Sequence, residues 1–192
     1  MKKTLLAAAL VMASGSALAV DGQIDFYGRV DPGTCETHIV NKDGTSVSGD
    51  GEVRLATAQI ADITATRVTD QVGAKDTSFT ITAKCDGANT LKMTMSSPTY
   101  AATDGTLKNN TNITVNGEGA AGNVNIAVHE VKDTGGYDLV EMNNASDIIT
   151  RTAVAGGYTN FNFKASYVRA DASTAVTSGH VTTNALYTVA YE

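Results

Sequence analysis

The chain has 192 residues, with 2 Pro, no Trp, 18 Gly, 27 Thr and 18% charged residues. That length suits one domain, and a composition weighted towards Gly and a β-branched residue argues against a helical bundle or a coiled coil. Its 42% apolar content supports a buried core and argues against wholesale disorder, its pI of about 5.0 makes nucleic acid and anionic membrane surfaces poor partners, and its 2 Cys exclude a four-Cys zinc site.

In chain order, the first segment reads as an address. Met1-Lys2-Lys3 is a short positive start, residues 4–13 are mostly apolar, and Ala17-Leu18-Ala19 matches a signal-peptidase site. Residues 1–19 are therefore expected to be a secretory signal peptide. The alternative is an uncleaved anchor, but the apolar run is too short for a stable span. No later stretch is apolar for 18 residues, so no direct membrane insertion is expected. Export places Cys35 and Cys85 in an oxidising compartment, where they are expected to pair. The rival readings are a reactive thiol or half of a metal site, since His38 follows Cys35 by three residues.

From there the sequence alternates with period two. Ile24, Phe26, Gly28 and Val30 share one face of an extended run. Phe79, Ile81, Ala83 and Cys85 share another, followed by Leu91, Met93 and Met95. Ile113 and Val115 continue the pattern, then Val124, Ile126 and Val128, then Phe161, Phe163, Ala165 and Tyr167, and last Ala185, Tyr187, Val189 and Tyr191. Asp43-Gly44, Asp50-Gly51, Asp86-Gly87, Asp104-Gly105, Asn116-Gly117, Gly135-Gly136 and Gly156-Gly157 supply turns between them. Only residues 56–69 have helical spacing, through Ile60 and Ile63. Seven or more short strands with frequent turns predict an all-β sandwich.

The chemistry of an enzyme is missing from this pattern. His38, His129 and His180 lie far apart without motif context, and no nucleophile elbow, zincin motif or P-loop is present. Asp43, Asp50 and Glu52 form a loose acidic group whose spacing misses the EF-hand, so turn formation explains them better than calcium. Asn109, Asn112 and Asn144 head glycosylation sequons, although a bacterial-type signal makes their use improbable. No catalytic residue, cofactor or metal is expected.

The leading strand is the informative feature. In residues 20–30 the even positions are Val20, Gly22, Ile24, Phe26, Gly28 and Val30, and the odd positions are polar except Tyr27. A free terminus ordinarily frays. An amphipathic strand there is either the first strand of its own sandwich or a strand given to a neighbour by β-strand addition.

Here the chain resembles the major pilin subunits of chaperone–usher, type 1-like fimbriae. The matching residues are the G-x-I-x-F-x-G-x-V run from Gly22 to Val30, with Cys35 five residues on, and the F-x-I-x-x-x-C run of Phe79, Ile81 and Cys85. They continue to Gly179, fourteenth from the end, and the penultimate Tyr191 behind Tyr187 and Val189. There are two departures. Val53-Arg54-Leu55 is followed by Ala56 where the family often has Gly, and residues 41–52 look like an insertion, expected to be a surface loop.

The resemblance implies an incomplete immunoglobulin-like sandwich, six-stranded and missing its seventh strand, over residues 31–192. Residues 20–30 would be an N-terminal donor-strand extension. Val20, Gly22, Ile24, Phe26 and Gly28 would form the donor face, with Ile24 and Phe26 filling deep sites in a neighbour and Gly22 lying where the groove is shallow. Gly179, Tyr187, Val189 and Tyr191 would belong to the acceptor strand that also meets the chaperone. The implied partners are identical or related pilin subunits, a periplasmic chaperone and an outer-membrane usher. The implied location is the cell-surface fimbrium, reached through the periplasm. The implied role is a structural, non-catalytic subunit supporting adhesion. The alternative is a minor or adaptor subunit, or a tip adhesin binding host glycans.

Overall fold

The computed structural model of the chain describes residues 22–30, 35–66 and 72–192. The expected signal segment, its cleavage point and Val20 lie outside the described residues. Among the described residues, fourteen strands and one short helix follow in order: β1 Gly22–Val30, β2 Cys35–Asn41, β3 Ser46–Ser48, β4 Gly51–Leu55, α1 Ile60–Thr64, β5 Ala74–Cys85, β6 Thr90–Ser96, β7 Leu107–Lys108, β8 Thr114–Val115, β9 Glu118–Gly119, β10 Val124–Val131, β11 Tyr137–Leu139, β12 Ile149–Thr152, β13 Thr159–Arg169 and β14 Val181–Tyr191.

Period-two alternation sorts these strands into two layers. In β5, Phe79, Ile81 and Ala83 are buried while Thr80, Thr82 and Lys84 are half-exposed. In β6, Leu91, Met93 and Met95 are buried between half-exposed neighbours. The first sheet has the order β12-β6-β14-β1-β4, and the second has the order β11-β10-β13-β5-β2-β3, with β7 pairing β10. Register builds a continuous apolar stripe across the second sheet, because Ile81 pairs with both Ile39 and Phe161. The rings of Phe79 and Phe163 stack with centroids 5.3 Å apart. β10 departs from simple alternation: Asn125, Ala127 and His129 are buried along with Val124, Ile126 and Val128.

Between Cys35 and Leu55 the chain switches sheets, since β2 lies beside β5 in the second and β4 lies in the first. If that path is taken as one strand, the residues after β1 form a six-strand immunoglobulin-like sandwich with β5, β6, β10, β13 and β14. The sandwich leaves one position vacant, between β14 and β4, and β1 fills it. The leading strand, expected to extend away for a neighbour, is here a member of its own sheet. The physical reason is simple: within a single chain, β1 is the amphipathic strand at hand, and an unfilled position leaves two rows of backbone groups unpaired.

Cys35 and Cys85 face each other across β2 and β5 and are joined as a disulfide with an S–S distance of 2.06 Å. Residues 41–52 form an exposed hairpin: Thr45 pairs back onto Asn41, and β3 lies against β2. The expected Asp50-Gly51 turn is displaced. The positive φ of +74° belongs to Gly49, whereas Gly51 opens β4, where a Cβ would stand 2.8 Å from the Ile39 side chain. Within residues 56–69, the one stretch with helical spacing, a short helix forms as α1, of which only Ile63 is buried; residues 67–69 lie outside the described residues. The pattern at Ile113 and Val115 yields no core strand, since β8 and β9 form a small hairpin through Asn116-Gly117 with both β8 residues exposed.

Candidate functional site

The vacant position defines the site, and β14 makes one wall of it. Val181, Thr183, Ala185, Tyr187 and Val189 alternate inward and are all buried. Val53 and Leu55 of β4, also buried, make the other wall. The alternation Val53-Arg54-Leu55 is the only sign of this wall in the sequence, and by itself it does not place these residues in a groove.

β1 lies between these walls, parallel to β14 and antiparallel to β4. Its even residues take register positions opposite the core-facing residues on both sides. Gly22 lies opposite Val181 and Leu55, Ile24 opposite Thr183 and Val53, and Phe26 opposite Ala185 and Gly51. Gly28 lies opposite Tyr187, and Val30 opposite Val189.

Tyr187 anchors β14. It is fully buried, and its hydroxyl donates to the Gly49 carbonyl at 2.8 Å and lies 3.0 Å from the Thr37 hydroxyl. Burial is the main cause that pushes its phenol pKa up, so the group stays neutral. Both partners come from the sheet-switching path of residues 35–55, 150 and 138 positions away in sequence. Tyr191, the last residue on the same alternation, is exposed at the strand's end.

Gly179 lies two residues ahead of β14 with φ +148°, and a Cβ there would stand 2.4 Å from the Ala121 backbone nitrogen. No side chain fits that approach, which accounts for glycine at this position. The closeness lets His180 donate its N–H to Gly119 and accept one from Ala121. Asn109 locks the junction: its amide nitrogen donates to the carbonyls of Ala121 and His180, both at 2.9 Å, and its oxygen accepts the Thr182 N–H at 2.8 Å. Asn109, one of the sequon residues, is buried and committed to these bonds. Next to the head of β14, a cavity of about 180 Å³ opens among Ile60, Ile63, Ala121, Val124, Val176 and Val181.

The acidic group at residues 43–52 is not brought to one point. Asp43 accepts the backbone N–H and the hydroxyl of Thr45, and these bonds hold its carboxyl below the usual range. Glu52 pairs with Arg54. The three histidines stay apart, on β2, within β10 and just ahead of β14. Among the described residues, no three His, Cys, Asp or Glu side chains gather as a metal set, and no helix is long and apolar enough to cross a membrane.

The fold and site define an immunoglobulin-like sandwich completed by an added strand. Within that class, the chain belongs to the fimbrial protein family, whose model, described as fimbrial protein, matches residues 24–192 and so takes in most of β1. It is a fimbrial subunit. A solved structure of a Burkholderia pseudomallei antigen and type I fimbria protein is similar at 21% identity and a TM-score of 0.42, covering 90% of this chain and 95% of that one. No curated protein matches the chain.

Proposed function

We propose that the chain is a structural subunit of a bacterial surface fimbria that polymerises head to tail by donor-strand exchange. The observation that supports this is the single strand position between β14 and β4, filled by a separable leading strand in the parallel direction. Parallel pairing is slightly less stable per residue than antiparallel pairing. A strand entering from a neighbour and running antiparallel to β14 would supply the same alternating apolar face, making the longer ladder, that with β14, antiparallel while the shorter one with β4 becomes parallel. The longer ladder favours exchange, and the displaced β1 becomes free to enter the next subunit. A contact of this kind is heterologous and does not close, so it produces a filament.

In this reading Val20, Gly22, Ile24, Phe26 and Gly28 form the donor face, and burying a side chain such as Ile24 or Phe26 contributes about 1.5–3 kcal/mol. Tyr187 and Val189 floor the acceptor groove, Gly179 shapes its head, and Tyr191 is exposed for a partner strand. Before assembly a periplasmic chaperone shields the groove, and an outer-membrane usher is the place of exchange. The subunit performs no catalysis, and adhesion is a property of the assembled fimbria.

The test is a peptide spanning residues 20–30 added to a chain that lacks them. The account expects a stable 1:1 complex with a raised melting temperature. A truncated chain that is already stable and indifferent to the peptide would overturn it.

A further inference from the structure

We propose a divalent transition-metal site on the outer face of the second sheet, formed by Glu36, His38 and Tyr158. Glu36 and His38 are two apart on β2 and therefore share a face. Thr159, the first residue of β13, pairs with Ala83, and Ala83 pairs with Thr37. The residue before β13 is thus brought level with the β2 pair. His38 Nε2 lies 2.9 Å from Glu36 Oε1 and 3.3 Å from the Tyr158 hydroxyl, with the two rings edge to face at 5.4 Å.

Two oxygen donors flank one imidazole nitrogen, at separations a coordination shell allows. Nitrogen and oxygen ligands sit about 2.0–2.2 Å from Zn²⁺, so neighbouring ligands of a tetrahedral or octahedral ion are separated by about 2.8–3.6 Å. The separations of 2.9 and 3.3 Å fit two edges of such a shell. An ion seated there needs little rearrangement of the protein, and water completes its shell. The side chains are open to solvent, with Glu36 56% and His38 24% exposed, and Tyr158 is 42% exposed. An imidazole with oxygen donors selects Zn²⁺ or Cu²⁺ over Ca²⁺ or Mg²⁺. Lys84, the cross-strand partner of Glu36, acts against the ion by attracting the same carboxylate.

The experiment is calorimetric titration of the purified mature chain with zinc chloride, repeated with copper(II) chloride. The site predicts one saturable ion per chain, with copper bound more tightly. His38→Ala should weaken binding at least roughly tenfold, and Tyr158→Phe, which keeps the ring, should weaken it by a smaller factor. Lys84→Gln should tighten it. His180→Ala, at the separate pair with Glu118, should leave it unchanged. Absence of saturable uptake by the native chain, or uptake that survives His38→Ala and is lost in His180→Ala, would overturn the assignment. Melting curves of each variant show whether a lost signal reflects unfolding; Tyr158→Phe at an exposed position and Lys84→Gln at a half-exposed one, both conservative, keep the question decidable should His38→Ala unfold.

Discussion

At the scale of single residues, Tyr187 and Gly179 shape the groove by opposite means. Tyr187 fills space and satisfies its buried hydroxyl on the Gly49 carbonyl and Thr37. Tyr187→Phe keeps the ring and removes that link, so it should cost about 1–2 kcal/mol of unfolding free energy, read from denaturant titration. Gly179 provides close approach. Gly179→Ala places a methyl 2.4 Å from a backbone nitrogen at φ +148° and should cost more than about 2 kcal/mol. Gly117→Ala, with a φ of +88° but nothing within 4 Å, pays backbone strain alone and should cost roughly 1 kcal/mol. Equal melting temperatures for the two variants would contradict this account of Gly179. The sequence displayed both residues as letters at a telling spacing, yet the reasons for them were invisible there. The Tyr187 partners and the Ala121 backbone are brought near only by the fold.

Charged residues at turns set the response to acid. Thr45 holds the Asp43 carboxyl low through its side-chain hydroxyl and then its backbone, Asp171 is held low first by the Ser173 backbone N–H, and Asp62 by the Gln59 backbone N–H. A carboxyl whose folded pKa lies below its unfolded value adds stability above the unfolded value of about 4 and loses it as pH falls through the folded one. Melting temperature should therefore be nearly flat from about pH 7 to 5 and drop below about pH 4. The double variant Asp43→Asn, Asp171→Asn should show a shallower drop, and an unchanged drop would place the acid response elsewhere.

At the scale of elements, the long strands were legible because their alternation is strong. β5, β6, β10, β13 and β14 all contain the residues whose period predicted them. Short elements were not: β7, β11 and β12 have two to four residues each and carry too few positions for a period. The direction of β1 was also illegible in principle. Period two states which residues share a face and is the same whether the neighbour runs parallel or antiparallel. That Tyr158 would meet His38, 120 residues away, likewise required the sheet order. The disulfide was legible from two Cys and an export signal, and it joins β2 to β5 across 50 residues. Replacing both cysteines with Ser should lower stability by about 4 kcal/mol in the chain-entropy account, measured as a shift in the urea midpoint. An unchanged midpoint would show that the bridge contributes nothing.

At the scale of the whole molecule, one vacancy in an otherwise closed sandwich accounts for the arrangement. The chain after Cys35 has a core, a disulfide and two packed sheets, but its first sheet has a gap between β14 and β4 that only an additional strand closes. In a lone subunit β1 closes it in the parallel sense. In a population of subunits, the proposed exchange makes the same strand from a neighbour the competing occupant. The most direct measurement is to hold the purified mature monomer at high concentration and follow it by size-exclusion chromatography and electron microscopy, beside a variant lacking residues 20–30. The account predicts slow growth of a multimer ladder and filaments from the full chain and none from the truncated one. Filaments from the truncated chain would contradict it.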